Sequence, residues 1–263
     1  MIAGLYSATS NMDAVLHQQD TIASNIANSG VSGHKSETVV FRSFPDLLSS
    51  IPNNFVAGNA ANRTAARVGT GVGVDWAYLN FEPGPAVETG VPTDLMIDGD
   101  GYFVVDNGRG EERYTRNSEF KIKVDPDGKM GTITTKEGYS LQGENGPIRF
   151  PADKKFTIDL TGNVAAGGQR LDKIRMISVP DNNVMLPESG ATFKIEKKWW
   201  DDIQPAKEAV VRQGYLERSN VNTVLEMARM IESFRNYESA AKVITTLDRT
   251  LDQAVNDVGR SAG

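Results

Sequence analysis

The sequence contains no cysteine. Disulfides, thiolate catalysis and cysteine-ligated metals are therefore excluded, and the composition is compatible with export to an oxidising compartment. Histidine is almost as scarce. His17 and His34 are the two in the chain, and neither sits in an HExxH-like context. There is no apolar run of about eighteen residues, so no membrane-spanning helix is expected. Nor is there a basic excess. The 28 Lys and Arg stand against 34 Asp and Glu, a net charge of −6, which argues against nucleic acid or an anionic membrane as partner. The first residues lack a basic n-region, and Asn11, Asp13, His17, Gln18 and Gln19 interrupt any hydrophobic core. The expectation is a chain that leaves the cytoplasm, if it does, without a cleaved secretory signal.

Proline and glycine are also missing from one long stretch, Thr223 to Val258. Within it Met230, Phe234, Tyr237, Ala241, Ile244, Leu247, Leu251, Val255 and Val258 recur in steps of three and four, one face of a helix close to the heptad repeat. Thr223 and Glu226 have capping-box spacing, and Gly259 follows the last apolar position. A helix of this length runs about 54 Å, whereas a globule of this chain has a radius of gyration of about 18 Å. The helix must project, and its stripe needs a partner. Ile2, Leu5, Thr9, Met12, Leu16, Gln19, Ala23 and Ile26 offer one, in a helix predicted from about Ile2 to Asn28. Periodicity alone leaves two readings open: a hairpin closing one monomer, or helices that also face other subunits.

Between the ends the period changes. The turn cluster Asn28–Gly33 precedes extended residues at 34–44, and residues 45–70 read as a long loop. Val72, Val74, Trp76 and Tyr78 alternate as a strand. Leu95–Ile97 and Tyr102–Val105 flank Asp98–Gly101 as a predicted hairpin, and Asp125–Gly128 turns one strand into the next. Further strands are expected at 139–142, 156–160, 171–179 and 192–197. The fold class is thus α+β. Long terminal helices pair as a coiled-coil-like core, and an all-β antiparallel barrel or sandwich is inserted between them. The predicted divisions are 1–30 with 210–263, a linking segment at 31–70, and a β domain at 71–209.

No chemistry is legible. Gly69–Gly73 lacks the spacing of a dinucleotide fingerprint and the GK[ST] of a phosphate loop. Asp98–Gly101 and Asp125–Gly128 lack the later ligands of a calcium loop and read as turns. No carboxylate pair stands out for acid–base work. Trp199–Trp200 before Asp201–Asp202 reads as core packing with an acidic edge, a contact patch being the other reading. No cofactor, metal or catalytic residue is expected.

The two ends carry more than periodicity. QQDTIASNIANSGVSGHKS at 18–36 resembles the segment shared by flagellar rod and hook proteins, written N-x-A-N-x-x-T-x-G-F-K. Asn25, Ala27, Asn28, Gly33 and Lys35 match, while Val31 and His34 depart where Thr and Phe are usual. Gln213–Glu217 and Ser219–Asn222 resemble the C-terminal signature of the same family, and PTDLMIDGDGYFVV and RYTRNSEFKI resemble its β domain. Hook proteins carry extra middle domains for which this length leaves no room. GENGPI at 143–148 and LDQAVNDVGR at 251–260 are more similar to proximal than to distal rod members.

The resemblance implies a structural, non-enzymatic subunit of the flagellar basal-body rod, exported by the flagellar type III apparatus into the periplasmic rod. It would assemble with itself and with other rod proteins into a hollow axial shaft. On that reading the interface residues are Ile2, Leu5, Met12, Leu16, Asn25, Ile26, Asn28, Gly33, Met230, Phe234, Tyr237, Ala241, Ile244 and Leu251. Residues 1–70 and 210–263 would fold on assembly. A distal rod protein is the alternative within the family. An exported cell-wall enzyme would need a carboxylate or histidine centre in the β region, and a binding module would be a stable monomer with protected ends.

Overall fold

A computed structural model describes residues 2–43, 71–188, 191–206 and 208–260; the loop read at 45–70 lies outside them. The chain is α+β and divides into two compact units. One comprises Met1–Ala27, Glu37–Leu79 and Asn222–Gly263, the other Asn28–Ser36 and Asn80–Val221.

The first unit holds α1 (Ile2–Asn28), β1 (Glu37–Ser43), β2 (Val72–Leu79) and α2 (Thr223–Arg260). At 27 and 38 residues the helices are about 40 and 57 Å long. Asn222 caps α2: its Oδ1 accepts from the Leu225 N–H at 3.1 Å. Asn222 thus takes the N-cap in place of the expected Thr223–Glu226 capping box, and the Glu226 side chain bonds Asn25 and Arg229 instead. β1 and β2 pair antiparallel, Glu37 opposite Leu79 and Ser43 opposite Val72, with a bulge between Val40 and Phe41. Both strands are fastened to α1. The Asn25 side chain bonds the Glu37 backbone in both directions, Nδ2 to O at 2.7 Å and N to Oδ1 at 2.9 Å, and Ser10 Oγ accepts from the Val72 N–H at 3.2 Å.

The second unit is all β: β3 (Ala86–Glu88), β4 (Leu95–Asp98), β5 (Tyr102–Asp106), β6 (Glu112–Thr115), β7 (Lys121–Val124), β8 (Met130–Thr134), β9 (Ser140–Gly143), β10 (Gly146–Pro147), β11 (Arg149–Pro151), β12 (Phe156–Ile158), β13 (Asn163–Ala166), β14 (Gln169–Lys173), β15 (Met176–Ser178), β16 (Met185–Pro187), β17 (Thr192–Ile195), β18 (Gln204–Pro205), β19 (Val210–Gln213) and β20 (Tyr215–Glu217). The main sheet follows the order β11-β8-β9-β5-β6-β17-β16. Its end strands do not pair with each other, so the described strands form no closed barrel. One core runs through the unit: Leu95, Phe103, Ile133, Leu141, Val164 and Val211 are each 0% exposed, and Phe103 meets Phe120 edge to face at 5.4 Å.

The turn at Asp125–Gly128 joins β7 to β8 as predicted. The predicted β4–β5 hairpin does not form. β4 pairs instead with β19, more than a hundred residues away, and β5 with β6, β9 and β15. Both strands are buried runs with no polar face, so each takes partners from the core around it. Residues 210–217, grouped with the helical end in the sequence reading, form β19 and β20.

The turn from β12 to β13 is organised by one carboxylate. Asp159 Oδ1 accepts from the Thr161 N–H, the Thr161 hydroxyl and the Asn163 N–H at 2.9, 2.7 and 2.8 Å, and Oδ2 accepts from Asn163 Nδ2 at 2.8 Å. These bonds, the Asn163 amide first, favour the charged form and hold Asp159 well below the usual carboxylate range. The unfolded chain binds a proton more readily here. The turn's contribution is complete above about pH 3.9 and is lost as pH falls through the lower folded value. Carboxyl NMR titration should place the Asp159 midpoint below 3.9, and Asn163→Ala should move it back up; an unshifted midpoint in the unsubstituted chain would contradict the bonding.

Candidate assembly site

The helices are the site the sequence reading points to, and within the first unit they run antiparallel. Three contacts fix the direction. Asn25 Nδ2 donates to Glu226 Oε2 at 3.4 Å, Ser233 Oγ donates to Val15 O at 3.5 Å, and a Cβ on Gly4 would lie 3.7 Å from Leu247 Cδ1. Asn25 and Gly4 are twenty-one residues apart, as are Glu226 and Leu247. On α2 the inward face is Glu226, Met230, Ser233, Tyr237, Ala240, Ala241, Ile244, Leu247 and Leu251, all buried or part-buried. Among the described side chains of α1, the buried ones are Ala14, Val15, Ile22 and Asn25.

Of the sequence-predicted residues, Leu5, Met12, Ile26, Asn28, Met230, Tyr237, Ala241, Ile244 and Leu251 are part-buried, and Asn25 is buried against Glu37 and Glu226. Leu16 is 44% and Phe234 55% exposed. The side chain of Ile2 lies outside those described. The buried face of α1 thus lies about one residue round from the predicted stripe, because Asn25 and Ser10 turn it towards the strands. Phe234 belongs to a second stripe. Val224, Met227, Ile231 and Phe234 step by three, four and three, about 120° round α2 from the inward face, and are 51–78% exposed. A helix with two apolar faces has surface for more than one neighbour.

Gly33 is built into the second unit rather than a helix face. Its φ is +70°, and a Cβ there would lie 2.2 Å from the Arg116 carbonyl oxygen, so only glycine fits. Its N–H donates to Glu217 O at 2.9 Å, as does the Ser32 hydroxyl. The Glu217 side chain, 1% exposed, accepts from Lys35 Nζ at 2.7 Å and the Gly84 N–H at 3.1 Å on Oε1, and from Arg116 Nη1 at 3.4 Å on Oε2. Arg116 also donates to Ile97 O and Gly99 O and lies 5.3 Å over the Tyr102 ring. Burial pushes the Lys35 ammonium down and the charge of Glu217 opposes it. His34, at the usual Phe position, is half-buried, and burial lowers its pKa.

A triangle of bonds lies beside this carboxylate. The Ser36 N–H donates to Asn220 Oδ1, the Asn80 N–H to Ser36 O, and Asn220 Nδ2 to Asn80 O, each at 2.8 Å. The matching residues of the two terminal motifs are thus brought together: Asn25 with Glu226, Gly33 and Lys35 with Glu217, and the segment around Ser36 with Asn220. Sequence reasoning missed Asn80, and saw Arg116 and Glu217 only as motif letters. Trp199 and Trp200 lie on a 3₁₀ turn, Lys197–Asp202, with Trp200 53% exposed, so the expected core packing gives way to a largely open indole. Among the described residues no group of three His, Cys, Asp or Glu is arranged to hold a metal, and no helix is long and apolar enough to cross a membrane.

Terminal motifs joined in a buried clasp, with apolar helix surface left open and no metal cluster among the described residues, fit a structural protein. Comparison with known proteins gives the particular family. Residues 5–35 match the family model "Flagella basal body rod protein", 96–166 "Flagellar hook protein FlgE/F/G D1 domain", and 212–257 "Flagellar basal body rod FlgEFG protein C-terminal". The chain is 31% identical to the flagellar basal-body rod protein FlgG of Bacillus subtilis over 97% of its length and 99% of that protein. It is 30% identical to FlgF of Caulobacter vibrioides (97% and 98%) and 28% identical to FlgF of Escherichia coli (95% and 96%). The chain belongs to the flagellar basal-body rod protein family, and its role is that of a structural rod subunit.

The clasp makes a direct prediction. Glu217→Gln leaves Lys35 and Arg116 buried without a counter-charge and should lower stability by about 3–5 kcal/mol. Lys35→Met should cost less, since Arg116 remains on Glu217. Equilibrium urea unfolding of the full chain measures both, and a Glu217→Gln change under about 0.5 kcal/mol, the size of an ordinary surface effect, would reject the clasp.

Proposed function

We propose that the chain is an FlgF-like subunit of the proximal rod that polymerises through its terminal helices into the hollow axial shaft. The observation that carries this reading is the exposed Val224–Phe234 stripe on a helix that already has an inward face. Other rod proteins and copies of this chain are its partners. The flagellar export apparatus delivers it, and it resides in the periplasmic part of the basal body without enzymatic activity or cofactor. The helices form a coiled-coil-like pair, with Leu5, Met12, Leu16, Met230, Phe234, Tyr237, Ile244 and Leu251 as candidate interface residues. A distal position is the second reading, favoured by the 31% identity to a protein named FlgG. Mass spectrometry of purified basal bodies with gold labelling of this chain decides between them. A membrane-proximal label supports the first, a label along the distal shaft the second, and absence from basal bodies defeats both.

Folding on assembly belongs to the helices in this reading. Residues 28–36 and 210–221 supply Glu217, Lys35 and Val211 to the second unit, so they are ordered before assembly. In dilute monomer, hydrogen exchange should find the Gly33 and Glu217 amides protected and those of α1 and α2 rapidly exchanging. Helices protected to the same degree would contradict assembly-coupled folding.

Phe234→Asp should block incorporation into rods and leave the β unit folded, because a charge would enter an apolar contact. Ile244→Asp should do the same and also loosen α1 from α2. Normal rods containing Phe234→Asp would remove that face from the interface.

A further inference from the structure

The chain passes between its two units at 27/28, 36/37, 79/80 and 221/222. Three of these crossings meet in the Ser36–Asn80–Asn220 triangle, every corner lying within two residues of a crossing. Further bonds reinforce it. Asn220 Nδ2 reaches Glu82 O at 3.0 Å, Lys35 Nζ reaches Glu82 O at 2.9 Å, and the Arg218 N–H donates to Pro85 O at 3.0 Å. The fourth crossing enters through residues 28–36, held by Gly33, Ser32 and Lys35 on Glu217. Ser32, Lys35, Glu217 and Ser219 are all buried, so water cannot readily replace these bonds as they stretch. The Gly84 position is equally tight: a Cβ would stand 1.8 Å from Arg218 O.

We propose that this cluster is a mechanical clamp. A pull or twist between any two helical or hairpin segments of the first unit passes from crossing to crossing through the triangle and the Glu217 ion pairs. It stays at the few residues of the second unit that border the crossings and bypasses the chain between them, because Lys35 and Glu217 are 182 residues apart in sequence yet directly bonded. Loads on the ends of the chain are therefore borne by about ten short bonds and not by the β core. In a rotating shaft, a use that rests on the rod reading, this would let the helices carry torque while the β unit stays unstrained.

Single-molecule pulling on the full chain tests the clamp. The absence of cysteine lets handles be placed cleanly at Ala23→Cys and Ala228→Cys, both exposed helix positions. Under constant force the chain should hold and then lengthen in a first step that marks the opening of the clamp. Asn220→Ala, which removes two sides of the triangle, should shorten the lifetime before that step about tenfold or more, and Glu217→Gln should shorten it further. With handles at Lys123→Cys and Leu171→Cys in the β unit, Asn220→Ala should leave the lifetime unchanged. Equal lifetimes with and without Asn220→Ala under helix handles would overturn the clamp. So would an equal loss under both handle pairs, which marks a merely structural role. Neither result depends on where the chain resides in a basal body, so failure of the clamp and failure of the rod reading are separable.

Discussion

The structure depends on one buried carboxylate. Glu217 is sealed from water and serves two cations, Lys35 and Arg116, as well as the Gly84 amide. Burying three charged groups is expensive, and their mutual attraction offsets the cost only while the geometry is complete. An apolar cluster could have supplied the same burial without preferring one register. A carboxylate with two assigned oxygens cannot be satisfied if residues 28–36 shift by one position, because Lys35 would miss it, and the Gly33 amide would miss the Glu217 backbone carbonyl. The ion pair therefore fixes where the N-terminal segment joins a unit made mostly from residues 80–221, and with it where α1 ends and β1 begins.

That arrangement divides the chain's energetics. The second unit has a continuous core and its own buried electrostatic joint. Among its described residues the first unit has little of either. Their buried apolar side chains are Ala14, Val15, Ile22 and Ala240, and two of the other buried groups are the polar Glu226 and Ser233. Burial of a large apolar side chain contributes about 1.5–3 kcal/mol, whereas ordering a helical residue costs about 1–2 kcal/mol. Among the described residues, helices of 27 and 38 residues share only this small set of buried apolar side chains. The surface that would correct the balance is the exposed stripe on α2.

The sequence was readable where the physics is local. The limits of α1, the start of α2 and most strands of 120–197 follow from periodicity and turn residues, and the β7–β8 hairpin follows from Asp125–Gly128. It was unreadable where a strand finds its partner by burial. β4 and β5 look like a hairpin because Asp98–Gly101 is turn-like, yet both are buried on two faces and take non-local partners. The stripe on α1 was misplaced by a residue for a related reason. Leu16 is a stronger hydrophobe than Ala14 or Ser10, but contacts from Asn25 and Ser10 decide the rotation of the helix, and polar anchors leave no trace in a hydrophobic pattern. The clasp shows the same limit. Lys35 and Glu217 were visible as motif letters, but nothing in either segment reveals that the two are bonded.

The polar residues of the inward helix face complete the argument. A seam of leucines would pair α1 and α2 tightly in several registers and would compete with any neighbour for the same surface. Asn25, Ser233 and Glu226 specify one antiparallel alignment through directional bonds, at a cost in stability that coiled coils with a buried polar residue also bear. A hairpin aligned in this way is correct in register but weak. Strong pairing within one chain would favour a closed monomer. A weak, well-aligned pair leaves Val224, Met227, Ile231 and Phe234 as an exposed source of apolar burial, and on the proposed assembly the helices would become firm when another surface covers that stripe.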